Sequence, residues 1–219
     1  RPPTSTLFPY TTLFRSVGCH GVLDLDAAVS ACADGPTLIS VMLANNDTGV
    51  IQPVAALAAA ARARGALVHT DAVQAVGKIP VRVRDLGVDL LSFSAHKLNG
   101  PKGVGALWVR RGVRLAPTAF GGKQERGLRP GTENVTGIAG FGAACDLAAR
   151  RQEAEARREA ALRDWFEDAV RERLPEVVVN GGEAPRLPNT SNLRFPGIDA
   201  GMLVIGLDMQ GVAASTGAA

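Results

Sequence analysis

The sequence predicts an α/β fold: a mostly parallel sheet with helices on both faces, followed by an incomplete small C-terminal α/β domain. Three observations support this prediction. Short apolar runs alternate with helical segments, the connections between them are short, and polar residues follow several of the apolar runs. Strands and helices alternating in this way are typical of right-handed βαβ units, in which helices cover the sheet.

The first predicted elements lie between residues 25 and 109. Residues 37–43 are apolar, and Gly-Pro and Asn-Asn bound them, as expected for a buried strand. Residues 53–64 place Val54, Leu57 and Ala61 on one helix face, with Gly65 just past the end. The sequence also predicts a helix at residues 25–33 and strands at residues 66–70, 88–92 and 104–109.

The second part begins with a long helix rich in Ala, Arg and Glu, predicted at residues 143–174. Acidic and basic residues stand four apart, as in helical ion pairs: Glu153/Arg157, Glu159/Arg163 and Glu167/Arg171. An apolar stripe of Leu162, Trp165, Phe166, Ala169 and Val170 predicts packing against the core. Strands at residues 177–179 and 192–195, a helix at residues 200–209 and an apolar pair at residues 212–213 follow.

The first sixteen residues are predicted to be non-native. Residues 6–16 (TLFPYTTLFRS) show no helical or strand period and resemble the conceptual translation of a sequencing-library adapter. Without Arg1 and Arg15 the net charge of +3 becomes +1, so the charge gives no reason to expect a nucleic-acid partner.

Composition places the chain among ordinary soluble proteins, since 46% of the residues are hydrophobic and 21% are charged. No apolar run reaches the length of a membrane span, and no secretory signal is visible. The irregularly spaced Cys19, Cys32 and Cys145 suit neither a disulfide framework nor a metal site. We therefore expect a cytoplasmic protein without a metal or a membrane partner.

Polar residues follow three of the predicted strands: Asn45 and Asn46, then Asp71, then Ser94 to Lys97. Ligands of open α/β sheets bind outside the carboxyl ends of the strands, so these residues are expected at one edge. Lys97 has apolar neighbours, which favour a partly dry environment and an amine that can bond to a carbonyl compound.

An amine and a carboxylate at one sheet edge meet two needs of pyridoxal 5'-phosphate (PLP). Asp71 would keep the pyridine nitrogen protonated. An opposite charge at contact distance is worth about 1 to 4 kcal/mol, which raises a pyridinium pKa by roughly one to three units.

The remaining needs of the cofactor are donors to its phenolic oxygen and to its phosphate. Gln74, three residues after Asp71, and Asn46 carry amide groups for the oxygen. Ser94, His96 and Thr132 offer hydroxyl and imidazole groups for the phosphate.

Four runs in order resemble cysteine desulfurases of the NifS/IscS type: ANNDTGVIQP, HTDAVQAVGKIP, DLLSFSAHKLNGPKGVGALWVRR and GGKQERGLRPGTENV. The likeness continues through NTSNLRFPG and LDMQGVAASTGAA. These enzymes belong to the class V aminotransferase-like group of PLP enzymes, which have fold type I.

The resemblance implies a role for each candidate residue. Lys97 would be the Schiff-base lysine and Asp71 the partner of the pyridine nitrogen. Thr132 would reach the phosphate of the cofactor in the other subunit of a homodimer. The remaining assignments are Asn46 and Gln74 to the phenolic oxygen and Ser94 and His96 to the phosphate.

The resemblance also implies an activity and a domain division. The family takes sulfur from L-cysteine, leaving alanine and a persulfide on a loop cysteine, and passes the sulfur to acceptor or scaffold proteins for iron–sulfur clusters and thio-cofactors. Residues 17–140 would be part of the large PLP-binding domain. Residues 141–219 would be the linking helix and part of the small domain.

The sequence departs from the family at both ends. The family's nucleophilic cysteine directly follows a motif that here ends the sequence as Ser215–Ala219. An N-terminal half-domain and a C-terminal arginine are also missing, and Lys123 replaces a commoner Gly or His. We therefore expect an inactive fragment, in which Cys19, Cys32 and Cys145 do not replace the nucleophile.

Two alternatives stay open. The parent protein could be a selenocysteine lyase or another class V enzyme, which a gene with no cysteine codon just after Ala219 would favour. It could also be a non-enzymatic protein that keeps the fold. Failure to develop an imine absorbance band with PLP would favour that second alternative.

Overall fold

The computed structural model describes residues 17–32 and 37–217. A four-stranded sheet has the order β1 (Leu38–Met42), β2 (Leu67–Asp71), β3 (Leu90–Ser94) and β4 (Gly105–Val109). The first three strands are parallel, and β4 runs antiparallel to β3. The predicted α/β fold with a mostly parallel sheet is thus confirmed. The segment predicted to be non-native, residues 1–16, lies outside the described residues.

Five α-helices accompany the sheet in the described part of the chain. Their bounds are α1 (Leu25–Ser30), α2 (Val54–Ala63), α3 (Val83–Leu86), α4 (Val135–Arg173) and α5 (Ala200–Asp208). A second sheet pairs the two-residue strands β5 (Val178–Val179) and β6 (Leu193–Arg194) in antiparallel fashion. Two 3₁₀ turns complete the chain, one at Glu125–Gly127 and one at Ala95–Leu98, which we call the lysine turn.

Helix α2 forms the core together with one face of the large sheet. Its residues Leu57 and Ala61 are fully buried, and the core includes Val68 of β2 and Leu91 of β3. Burying a leucine or valine side chain stabilises the fold by roughly 1.5 to 3 kcal/mol. The helix follows Pro53 and ends before Gly65, whose φ of +70° suits glycine.

The opposite face of the sheet is more open. Leu38 pairs with Leu67 in register, so both project from the same face. They are 59% and 36% exposed, and Leu107 of β4 is 51% exposed. His69 and Asp71 alternate with Leu67 along β2 and therefore share this face. Within residues 17–32 and 37–217, this face is the less covered one.

The predicted elements agree with the structure in type, and their boundaries differ by a few residues. Helix α4 begins at Val135, ahead of the predicted residue 143, and crosses residue 140 without a break. The expected domain division at residue 140 therefore stays a prediction. Short elements were not anticipated, namely α3 and the two 3₁₀ turns, and residues 212–213 have no regular secondary structure.

The predicted packing of the apolar stripe on α4 is wrong. Leu162, Trp165 and Phe166 are 52%, 70% and 45% exposed. The helix instead buries Phe141 near one end and Glu167 near the other. An apolar stripe indicates which side of a helix suits a partner, but the described residues supply no such partner here.

Two of the three predicted ion pairs on α4 are also wrong. Arg157 pairs with Glu153 as expected. Arg163 instead pairs with Asp164 and donates to the carbonyl oxygen of Leu187 at 2.7 Å. Glu167 likewise has a partner outside the helix, because the segment around residue 186 lies against α4.

Arg186 is the partner of Glu167. Its two terminal nitrogens donate to the two carboxylate oxygens at 2.7 Å each, and both side chains are buried. Burial alone would raise the pKa of Glu167, but hydrogen bonds from Arg186 and Ser191 with the positive charges of Arg186 and Arg163 lower it overall. The same segment bonds to the main chain near the sheet, since Ile51 N–H donates to the Pro185 carbonyl oxygen at 2.8 Å.

In the described part of the chain, no helix combines the length and the apolar character that a membrane crossing needs.

Candidate functional site

The carboxyl ends of the parallel strands bring several predicted site residues to one edge of the sheet. Asp71 ends β2 and Ser94 ends β3. The register pairs Asp71 with Met42 on one side and with Ser92 on the other. Because the lysine turn follows Ser94 directly, His96 and Lys97 lie at the same edge.

The lysine turn is closed by main-chain hydrogen bonds. Ala95 is fully buried, and its N–H donates to the carbonyl oxygen of Val104 at 3.1 Å. Gly100 N–H donates back to the Ala95 carbonyl oxygen at 3.0 Å. Asn99 ends the turn with a φ of +58°, in the left-handed region that asparagine tolerates. Within this turn Lys97 is half-buried, while His96 is exposed.

Helix α4 supports the lysine turn through small residues. A Cβ on Gly100 would lie 3.1 Å from the Ala144 Cβ, and one on Gly140 would lie 2.6 Å from Pro101 Cγ. Beside this contact the rings of Phe93 and Phe141 pack with centroids 5.0 Å apart. The close approach that these glycines permit fixes the backbone that carries Lys97.

Asp71 has one carboxylate oxygen engaged and one open. Its Oδ1 accepts a hydrogen bond from Val73 N–H at 2.9 Å, which orients the half-buried side chain. No described residue donates a hydrogen bond to Oδ2. Gln74 is half-buried in the turn that follows, three residues after Asp71.

His69 lies two residues before Asp71 in a polar row that crosses three strands. Its Nδ1 lies 2.8 Å from Ser40 Oγ on β1, and its Nε2 lies 3.1 Å from Ser92 Oγ on β3. Burial lowers the pKa of His69, although the charge of Asp71 opposes that effect. Sequence reasoning left His69 out of the site because the register that supplies both hydroxyls is visible only in the folded sheet.

The turn after β1 separates the roles of two adjacent asparagines. Asn45 Oδ1 accepts hydrogen bonds from the N–H groups of Asp47 and Thr48 and from the Thr48 hydroxyl, at 2.8 to 3.0 Å. Asn45 therefore organises the turn, as asparagine side chains often do. The side chain of Asn46 is exposed, with one long contact to Asp47 at 3.4 Å.

Thr132 is not brought to this edge by any contact in the structure. It is exposed in the loop between the 3₁₀ turn at Glu125–Gly127 and α4, and it makes no hydrogen bond with a described residue. Lys123, which precedes that 3₁₀ turn, is also exposed.

Two clefts of about 350 and 460 Å³ lie along α4, and neither is lined by a predicted site residue. The second is lined by Leu98 and Asn99, the residues that follow Lys97. Asp71 and Lys97, both half-buried, line neither of these two clefts.

The described residues contain no group of three or more His, Cys, Asp or Glu side chains that could hold a metal ion. Cys19 is exposed, and Cys32 and Cys145 are half-buried. Burial and then the charge of Asp146 raise the pKa of the Cys145 thiol, which disfavours the nucleophilic thiolate.

Comparison with known proteins gives consistent matches over most of the chain. Residues 13–219 match the aminotransferase class-V family. The chain is 50% identical over 206 residues to a cysteine desulfurase of Gluconacetobacter diazotrophicus, covering 94% of this chain. It is 44% identical over 210 residues to a cysteine desulfurase of Nostoc sp., covering 96% of this chain.

Among solved structures, a NifS-like protein from Rickettsia africae superposes with a TM-score of 0.87 at 32% identity. The match covers 93% of this chain and 57% of that protein. Each of the two cysteine desulfurases is covered over 52% of its own length. The chain therefore spans about half the length of the curated relatives it matches.

Proposed function

The chain belongs to the aminotransferase class-V family, and from this premise we propose that it is the cofactor-bearing part of a PLP-dependent cysteine desulfurase. One observation carries the proposal: a half-buried lysine and an aspartate with an open carboxylate oxygen lie at the carboxyl edge of adjacent parallel strands. The 44–50% identity to two cysteine desulfurases supports the choice of reaction within the family.

The donor set at this edge fits the cofactor. A pyridinium nitrogen needs an anion, and the Oδ2 of Asp71 is free to receive it while Oδ1 stays fixed by Val73 N–H. The aldehyde needs an amine, and Lys97 sits on a turn that main-chain bonds and α4 hold in place. The phosphate needs hydroxyl and imidazole donors, and Ser94 and His96 flank the start of that turn.

When bound, PLP supplies an electron sink for bonds at the substrate α-carbon. We assign the work of the protein to this chain's own residues. Lys97 Nζ would hold the cofactor, and the charge of Asp71 would favour a proton on the ring nitrogen. Asn46 and Gln74 donate to the phenolic oxygen.

In the proposed net reaction, the C–S bond of L-cysteine breaks and a C–H bond forms to give L-alanine. The sulfur atom forms an S–S bond with an enzyme thiol, which becomes a persulfide, so no external oxidant or reductant is needed. Sulfur-acceptor proteins would then remove the outer sulfur atom. The raised pKa of Cys145 argues against that thiol as the acceptor.

We also propose that the parent enzyme is a homodimer, with Thr132 donating to the phosphate of the cofactor in the other subunit. Its exposure in a loop away from the other site residues is compatible with that role.

Absorbance spectroscopy with a lysine variant tests the proposal. PLP added to the wild-type chain should produce a visible band that survives gel filtration, and Lys97→Ala should abolish it because the amine proposed to bond to the cofactor is removed. Lys102→Ala, an exposed lysine five residues further on, is the matched control and should keep the band. A band that persists in Lys97→Ala, or a wild-type chain that binds no PLP while its circular dichroism shows a folded protein, would contradict the proposal.

A further inference from the structure

The polar row on the open face of the sheet is not used by the proposed cofactor contacts. It runs from Ser40 on β1 through His69 on β2 to Ser92 on β3, with distances of 2.8 and 3.1 Å. A histidine with both ring nitrogens bonded has a fixed ring plane. The row lies two residues from Asp71 on the same strand and the same face, so the imidazole lies next to the carboxylate that would pair with the cofactor.

The surroundings of His69 determine its charge. The strand residues that share its face are Leu67 and Asp71 on β2, Leu38, Ser40 and Met42 on β1, Leu90, Ser92 and Ser94 on β3, and Gly105, Leu107 and Val109 on β4. Asp71 is the single other titratable group among them. The two serine hydroxyls satisfy both nitrogens of the neutral ring, so neutrality leaves no buried polar atom unpaired.

Two opposing influences act on this imidazole. Burial disfavours the charged ring and lowers the pKa of His69, whereas the negative charge of Asp71 favours it. Burial is the larger influence. A protonated His69 would attract the carboxylate of Asp71 and compete with a cationic cofactor for the same negative charge.

We propose that His69 is a positioning residue, an imidazole held uncharged between Ser40 and Ser92 so that the negative charge of Asp71 remains available to the cofactor. This proposal rests on the proposed function, because the cation that Asp71 serves is the pyridinium of PLP. Protonation of His69 and binding of a cation at Asp71 should oppose each other equally. A cation bound at Asp71 should make protonation of His69 less favourable, and protonation of His69 should weaken binding of that cation.

Histidine NMR titration tests the coupling without the cofactor. The chain has three histidines, His20, His69 and His96, so each imidazole signal can be assigned with a single His→Gln variant. We expect the His69 signal to titrate with a midpoint below the ordinary value of about 6.5. Asp71→Asn should lower that midpoint further, and Asp85→Asn, an exposed aspartate on α3, should leave it unchanged.

Cofactor binding tests the consequence. PLP should move the His69 midpoint in the same direction as Asp71→Asn does. The affinity of the wild-type chain for PLP should fall as the pH drops through that midpoint. His69→Gln keeps an uncharged donor and acceptor between the serines, so its PLP affinity should match the wild type at pH 8 and should lack this acid-dependent loss. His20→Gln replaces an exposed histidine and is the control. Its affinity for PLP should depend on pH as that of the wild type does.

The outcomes separate the two proposals. A His69 midpoint at or above 6.5, or one that Asp71→Asn leaves in place, overturns the positioning role even if PLP binds. The role is also overturned if His69→Gln loses PLP affinity at low pH in parallel with the wild type. Absence of a Lys97-dependent PLP band overturns the proposed function, while the Asp71→Asn titration still decides whether His69 and Asp71 are coupled.

Discussion

Helices α2 and α5 are of similar length, ten and nine residues, and both consist almost entirely of apolar residues. In α2 Leu57 and Ala61 are fully buried, and Ala61 belongs to the core cluster that includes the sheet. In α5 no residue is buried, and Met202 and Ile205 are 68% and 56% exposed. Apolar composition gives both helices a surface that favours burial, but burial depends on a partner surface. For α2 that surface lies within the described residues, and for α5 it does not.

The same contrast holds for the stretches around these helices. The region from β1 to β4 has a continuous core, which includes the fully buried Val68 and Val88. The region after α4 has two short strands, adds Leu187 to that core and makes a few specific polar contacts. The pair Glu167–Arg186 is the strongest of these contacts, because it is buried and bidentate.

The largest effect is expected where the two regions are joined. Glu167→Gln removes one charge of a buried pair and leaves Arg186 without a counter-charge, which should lower the free energy of unfolding by about 3 to 5 kcal/mol. Urea denaturation followed by circular dichroism measures the change. Glu153→Gln, whose ion pair with Arg157 is exposed on the same helix, is the matched control and should leave the midpoint nearly unchanged.

The pH dependence of this contact follows from the lowered pKa of Glu167. A carboxylate with a depressed folded-state pKa contributes stability that is present above its unfolded pKa and is lost as the pH falls through the folded value. The wild type should therefore lose stability below about pH 4.3. Glu167→Gln should lack that part of the acid response, and an identical acid profile for the two proteins would show that the pair does not contribute it.

At a fully buried position, Leu57→Ala in α2 should cost about 2 to 5 kcal/mol, because it removes buried methyl groups and leaves a cavity. The denaturation midpoint in urea measures this loss. Leu162→Ala on the exposed stripe of α4 makes the same chemical change at a site that is 52% exposed. If both variants lost equal stability, the distinction between the covered and the uncovered helices would be wrong.

The smallest effect is expected in α5. Met202→Lys places a charge on a side chain that is already 68% exposed, and it should change the free energy of unfolding by no more than about 0.5 kcal/mol. Comparing the Tm of the variant with that of the wild type would detect a larger loss of stability. A loss of several degrees in Tm would show that α5 is covered in solution and would remove the contrast with α2.

The sequence was sufficient for the elements that depend on local pattern. The strand at residues 37–43 and the helix at residues 53–64 have strong apolar periods, and the structure places β1 and α2 there. The wrong predictions concern partners. The stripe at Leu162 gives a face but not the surface that would cover it, and the helical spacing of Glu167 and Arg171 cannot reveal that Arg186 approaches from elsewhere.

The residues of the candidate site also divide into those that a sequence pattern predicts and those that only the folded structure identifies. Asp71 and Lys97 follow strand ends, so the rule for parallel sheets places them at one edge before any coordinates are known. Asn45 and Asn46 are chemically identical, and only the hydrogen bonds of the turn show that Asn45 is structural. The two serines that hydrogen-bond with His69 lie 29 and 23 residues away in sequence, so no local pattern predicts these contacts.

Helix α4 packs beside the lysine turn near Phe141 and holds Arg186 at Glu167, and this separation of 26 residues corresponds to about 39 Å at 1.5 Å per residue. Inserting or deleting one residue in that interval would change the span by about 1.5 Å and rotate one attachment point by about 100° relative to the other. Surface substitutions in the interval leave both quantities unchanged. The number of residues between the two attachment points is therefore constrained by geometry. The identities of the exposed side chains between them are not.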